Sequence, residues 1–274
     1  MRQSNAILTE VIQTPRSCLR KPNLACQGRV VQASNAATMK LSITFAFFLL
    51  AWAVQAKDMH SAVDAMPRGD RGWKDRHDLI NKRVEEAGEK AQLIFVGDSI
   101  TQGWEGEGKE VWAKHFTKYN AVNLGIGGDR TQHVLWRLEN GNLKGLKPKA
   151  AVVMIGTNNS NGEDNTPAQI AEGVTAIVRK LREKLPDMKI LLLPIFPRGE
   201  NFNNQRGKIL QVNQVLQKLA DDKNILWVDF GHKFVDPDGR LPRELMPDYL
   251  HLSPPAYEIW AESIDPVLQK VIGS

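Results

Sequence analysis

The chain has 274 residues, 42% of them hydrophobic and 24% charged, the composition of an ordinary soluble globular protein. Its formal charge of +5 comes wholly from residues 1–56, which hold six Lys and Arg against one acid; residues 57–274 balance thirty basic side chains against thirty acidic ones. That balance, with no block of like charges, excludes the basic face that nucleic-acid binding requires.

In chain order, residues 39–56 (MKLSITFAFFLLAWAVQA) predict a secretory signal peptide. Lys40 is a short positive n-region, the stretch from Leu41 to Val54 is apolar, and the small Val54 and Ala56 suit a cleavage site after Ala56. The 14-residue run is shorter than the ~20 residues of a spanning helix. A cleaved signal therefore leaves no stable membrane span, and an uncleaved N-terminal anchor is the alternative. Met39 stands where such a signal starts, so residues 1–38 read as an upstream extension. Cys18 and Cys26 both fall in that extension, which leaves the mature part with no disulfide and no thiolate metal site.

Residues 57–90 read as a helical lead-in, with Trp73, Leu79, Ile80 and Val84 as the apolar members of a helix within 68–90. Residues 91–274 then form one α/β domain. Its strands are predicted at Gln92–Val96, Ala121–Leu124, Ala150–Ile155, Lys189–Leu193 and Asn224–Asp229, several of them apolar without alternation, as in strands covered on both faces. Helices alternate with them: one carries Ile170, Val174, Ile177, Val178, Leu181 and Leu185, another Ile209, Val212, Leu216 and Leu219. A last helix has Ser253 as N-cap and Pro254 at its first position, and Pro266 is expected to kink or shorten it. Alternation of this kind implies right-handed crossovers and a five-stranded parallel sheet with helices on both faces, a three-layer α/β sandwich. Ligands of such sheets sit at the carboxyl ends of the strands.

Four segments follow strands or lie near the C-terminus: Gly97-Asp98-Ser99, Gly125 to Asp129, Gly156 to Asn159, and Asp248 to His251. Their chemistry is complementary. A serine hydroxyl needs a base to become a nucleophile, and His251 is the candidate. The base needs a partner for its other ring nitrogen, and Asp248, three residues earlier, is close enough to serve. The oxyanion needs donors, which the amides of Ser99 and Gly127 and the carboxamide of Asn158 can supply. Asp98 reads as a hydrogen-bond anchor for the loop. Arg130 and Arg198 read as surface salt-bridge formers, His133 as structural, and Trp104, Trp112 and Trp136 as core or pocket wall. His60, His77, His115, His133 and His232 show no metal-ligand spacing, and no metal or cofactor is expected.

The motifs GDS (97–99), Gly127 in NLGIGG, GTNN (156–159) and DYLH (248–251) resemble, in order, the blocks of the SGNH or GDSL-type hydrolases, over nearly all of residues 90–270. Within that superfamily NLGIGGDRTQHVLWRLENGNL, KPKAAVVMIGTNN and PRGE are similar to the catalytic subunits of intracellular platelet-activating-factor acetylhydrolase. The resemblance implies a flavodoxin-like fold and a metal-free serine esterase. It makes Ser99 the nucleophile, Asp248 and His251 the rest of a triad, and Gly127 and Asn158 oxyanion donors. It also implies a small acyl pocket at Ile100, Thr157 and Leu250 that favours acetyl groups, and it leaves a homodimer open. A small-molecule or glycan ester is the expected substrate, with a sugar O-acetylesterase as the second enzymatic reading. A non-catalytic carbohydrate- or lipid-binding module on the same fold is the reading from another class. ITQGWEGEGKE, directly after Ser99, departs from the relatives' pattern.

Overall fold

The computed structural model describes residues 59–273. The predicted signal segment, its cleavage position, the upstream extension and both cysteines lie outside the described residues.

Five strands, β1 (Leu93–Gly97), β2 (Val122–Asn123), β3 (Ala150–Met154), β4 (Lys189–Leu192) and β5 (Ile225–Trp227), pair in parallel in the order β2-β1-β3-β4-β5. This is the flavodoxin-like order, in which the direction of winding reverses between β1 and β3. Leu93 pairs with Ala150 and Gly97 with Met154, so the two central strands end level and their following loops leave the same edge together.

The helices are α1 (Arg71–Ala87), the single turn α2 (Ser99–Gln102), α3 (Lys109–His115), α4 (Thr131–Glu139), α5 (Pro167–Lys184), α6 (Asn204–Leu216) and α7 (Pro254–Ile272). Strand alternation sorts them into layers. Ile94, Val96, Ala151, Val153, Ile190 and Leu192 face one way and pack with residues of α1, α4, α5 and α6. Leu93, Phe95, Ala150, Val152, Met154 and Leu191 face the other way and pack with Val111 of α3 and Tyr257, Trp260, Ile264 and Leu268 of α7. Each of the larger aliphatic and aromatic side chains among them contributes roughly 1.5–3 kcal/mol of transfer free energy.

Local signals account for most helix starts. Thr166 and Gln169 form a capping box ahead of Pro167 at α5, and Asn203 accepts the Arg206 N–H at the start of α6. Asp70 caps α1 through the Trp73 N–H at 2.9 Å. The buried stripe of α1 is Trp73, His77, Ile80 and Val84, so His77 takes a place in the apolar face and Leu79, 41% exposed, stands off it.

Several expectations needed correction. Ser253 occupies the N-cap position of α7, but its hydroxyl donates to the Glu244 carbonyl at 2.6 Å and makes no cap bond. Pro266 does not shorten α7, which runs on to Ile272; it lies on the exposed face, where solvent can serve the carbonyl its missing N–H leaves free. The predicted second strand shrinks to Val122–Asn123, because the Asn123 side chain turns to brace the loops, accepting from Gly125 N and donating to the Thr101 carbonyl. Trp104 is core, 1% exposed, and Trp112 and Trp136 pack against the two core layers.

Candidate active site

Strand β1 ends at Gly97, where a Cβ would stand 2.0 Å from Thr101 Oγ1 and 2.5 Å from the Met154 carbonyl, so only glycine fits. Asp98 then caps α2, its Oδ1 accepting the Ile100 N–H at 3.1 Å. Ser99 is thereby the first residue of a helical turn at the carboxyl edge of the sheet.

The His251 ring reaches this hydroxyl from the far end of the chain, with Nε2 at 3.0 Å from Ser99 Oγ. Its Nδ1 lies 2.6 Å from Asp248 Oδ2. The other carboxylate oxygen, Oδ1, accepts the backbone N–H of Leu250 at 3.0 Å and of His251 at 2.7 Å. The intervening Tyr249 adopts a left-handed backbone (φ 60°) and accepts the Gly199 N–H on its carbonyl, which fixes the tight turn that presents both side chains. Burial pushes the Asp248 carboxyl up, but the His251 ring and the amides donating to it outweigh that and hold it below its ordinary value. Asp248 is therefore ionised at neutral pH and requires a proton on Nδ1, which leaves Nε2 free to accept from the serine.

The donor loops close around the same point. A Cβ built on Gly127 would lie 3.8 Å from Ser99 Cβ, so this backbone abuts the nucleophile. Its N–H donates to Gln102 Oε1 at 2.6 Å. Asn158, in the turn after β3, donates one carboxamide hydrogen to the Asp129 carbonyl at 2.9 Å. Gly156 makes this turn possible with φ 123°. Of the three residues expected to shape an acyl pocket, Ile100 and Thr157 are each 1% exposed and offer substrate almost no surface, while Leu250 is half-buried.

A buried polar frame supports these loops. Arg137 donates to Asp129 Oδ2 at 2.8 Å and to the Gly97 carbonyl at 3.3 Å, and Trp73 Nε1 donates to Asp129 Oδ1 at 2.7 Å. Asp129 and Arg137 have no exposure, and their pairing with full hydrogen bonding is what a buried ion pair requires. Sequence reading missed this pair, whose acid precedes α4 and whose base lies in its last turn. It also missed Gln102 and the role of Arg68, which donates to the Gly127 carbonyl at 2.7 Å.

Asp98 is an anchor, as expected, but one with its Oδ2 buried and unpartnered among the described residues. Burial pushes its carboxyl up to about 7, against the Ile100 N–H and with the help of the nearby Asp129. His133 is structural: its Nδ1 accepts the Arg130 N–H at 3.0 Å, and burial with the arginines around it pushes the ring down to about 4. Arg130 makes the expected ion pair, with Asp164. Arg198 does not. Its Nη1 donates instead to Thr157 and to Asn161 Oδ1, at 3.1 to 3.3 Å, because the loop after β4 folds over the turn after β3. Among the described residues no group of three or more His, Cys, Asp or Glu is disposed to hold a metal, and no helix is long and apolar enough to cross a membrane.

A hydroxyl, an imidazole and a carboxylate in series can carry out nucleophilic acyl transfer. An apolar cavity of about 470 Å³, with Phe202, Leu210 and Trp227 in its lining, includes none of Ser99, Gly127 or His251.

Comparison with known proteins points to a family. A model of the GDSL-like lipase/acylhydrolase family matches residues 95–259. Platelet-activating factor acetylhydrolase IB subunit alpha2 of Homo sapiens is 40% identical over 200 residues, covering 72% of this chain and 83% of that protein. Subunit alpha1 of Homo sapiens is 36% identical over 207 residues, 75% of this chain and 86% of that one. Among solved structures, an acetyl xylan esterase superposes with a TM-score of 0.56 at 26% identity, covering 64% of this chain and 98% of that chain.

Proposed function

The chain belongs to the GDSL-like lipase/acylhydrolase family and is an esterase-type hydrolase, and from that premise we propose that it is a secreted serine esterase that removes short acyl groups, chiefly acetyl. The observation that carries the reading is the series Ser99 Oγ, His251 Nε2 at 3.0 Å, and Asp248 Oδ2 at 2.6 Å from Nδ1. Ser99 attacks the ester carbonyl as His251 accepts its proton. The ionised Asp248 holds the ring's tautomer and stabilises the imidazolium. The developing oxyanion takes up the N–H groups of Ser99 and Gly127 and the second carboxamide hydrogen of Asn158, replacing Gln102 Oε1 on Gly127. His251 then gives its proton to the departing alcohol, leaving an acyl-enzyme. The same ring next takes a proton from water, which attacks the acyl carbonyl and restores Ser99 with release of the acid.

Acetyl preference is supported by the similarity to platelet-activating factor acetylhydrolase IB subunits and to an acetyl xylan esterase. Export is supported by residues 39–56. A fluorophosphonate should label Ser99 covalently, and Ser99→Ala should lose about 10⁴–10⁶ in turnover of an aryl acetate. Failure to label, or wild-type-like turnover by the variant, would instead favour a non-catalytic binding module.

A further inference from the structure

Residues 68–76 precede the first strand, and the reaction above assigns them no part. Yet Arg68, Asp70, Trp73 and Arg76 line a cavity of about 190 Å³ together with Gln102 and Gly127. Gly127 abuts Ser99, so the cavity and the nucleophile share a neighbour, although neither Ser99 nor His251 lines the cavity.

Its charges are already matched. Arg68 Nε lies 2.9 Å from Asp70 Oδ2, and Arg76 Nη2 lies 2.6 Å from Glu105 Oε1. An anion entering would meet no uncompensated cation, and an alkyl chain would strip water from charged groups without replacing its hydrogen bonds. What the lining offers is a mixture of donors and acceptors. Among the described residues Arg68 Nη2 and Gln102 Nε2 donate to nothing, and the Asp70 carboxylate is half exposed. The volume is below the ~300–1,000 Å³ of pockets for drug-sized ligands, so one small ring fits and an extended chain does not.

We propose that this cavity binds the alcohol half of the ester, and that the alcohol is a neutral, hydroxyl-bearing unit such as a single acetylated sugar ring. Arg68 and Gln102 donate to its oxygens and Asp70 accepts from a hydroxyl. The inference rests on the serine-esterase reading and names the substrate class for the same site.

The test uses the described chain in two backgrounds. In Ser99→Ala, which cannot turn over, calorimetric titration with a mono-O-acetyl methyl β-D-xylopyranoside should give binding. Adding Arg68→Ala, or Asp70→Asn, which keeps the helix cap, should weaken it about tenfold. Inorganic phosphate should not bind. With Ser99 intact, the ratio of kcat/KM for the sugar acetate to that for 4-nitrophenyl acetate should fall about tenfold in Arg68→Ala, mainly through KM. An unchanged ratio would mean that Arg68 only steadies Gly127, and would overturn the subsite. So would absent sugar binding, or phosphate binding that depends on Arg68. Failure of the wild type on both esters together with failure of fluorophosphonate labelling would sink the esterase reading instead, while the titration would still decide the cavity.

Discussion

The residue before Ser99 is a carboxylate sealed from water. Asp98 has no exposed surface, one oxygen on the Ile100 N–H and the other without a partner among the described residues. Burial raises its carboxyl from the ordinary 3.8 to about 7, so between those values the folded chain holds a proton that the unfolded chain has lost. Its contribution to stability is therefore complete below pH 3.8 and declines as pH rises through 7. Asp98→Asn keeps the acceptor for Ile100 and removes the titration. It should raise stability by ~2–4 kcal/mol above pH 7 and flatten the pH dependence across that window, measured by urea unfolding at several pH values. A variant equally stable, or less stable, at pH 8 would contradict the assignment. The sequence marked Asp98 as an anchor because of its place after an apolar strand. The orphaned oxygen was not legible, since its burial depends on segments distant in the chain, Asp129 among them.

At the scale of elements, the lead-in helix α1 is fastened to the loops of the site by its arginines. Arg76 donates to both oxygens of Glu105, at 2.8 and 2.6 Å, and to the Gly125 carbonyl, and Arg83 adds a third bond to Glu105. Burial pushes the Glu105 carboxyl up, but these two arginines more than offset it and lower it below its usual range. Glu105→Ala should cost about 1 kcal/mol of stability, since the pair is partly exposed, and should reduce kcat/KM for sugar and aryl acetates alike. A loss confined to one ester would argue against a shared support. The strands were legible in place because five apolar runs alternate with helical patterns, though β2 is shorter than its run. Helix α3 was not, because Gly103 to Glu110 lacks an apolar period and the helix is held by packing of Val111 and Trp112. The role of the stretch after Ser99 was likewise hidden: in the fold its Glu105 pairs with Arg76 and Arg83 of α1.

For the whole molecule, the layer order puts Ser99, Gly127 and Asn158 at one sheet edge because β1, β2 and β3 are adjacent. This much followed from strand alternation and the flavodoxin-like order. The closing of the site by His251 rested on motif spacing, which gave the partners but not the 3.0 Å approach. On the export reading, the mature protein recovered from medium should begin at Lys57, as determined by N-terminal sequencing; a start at Met39, or retention in the membrane fraction, would refute cleavage. The Ser99 and His251 side chains are separated by 152 positions in the chain. In a polypeptide made from its N-terminus, the serine emerges long before its base, and only the completed sheet joins them. On the esterase and export readings, a chain held unfolded for passage across a membrane has not yet joined Ser99 to His251 and would leave the esters of its own cell untouched.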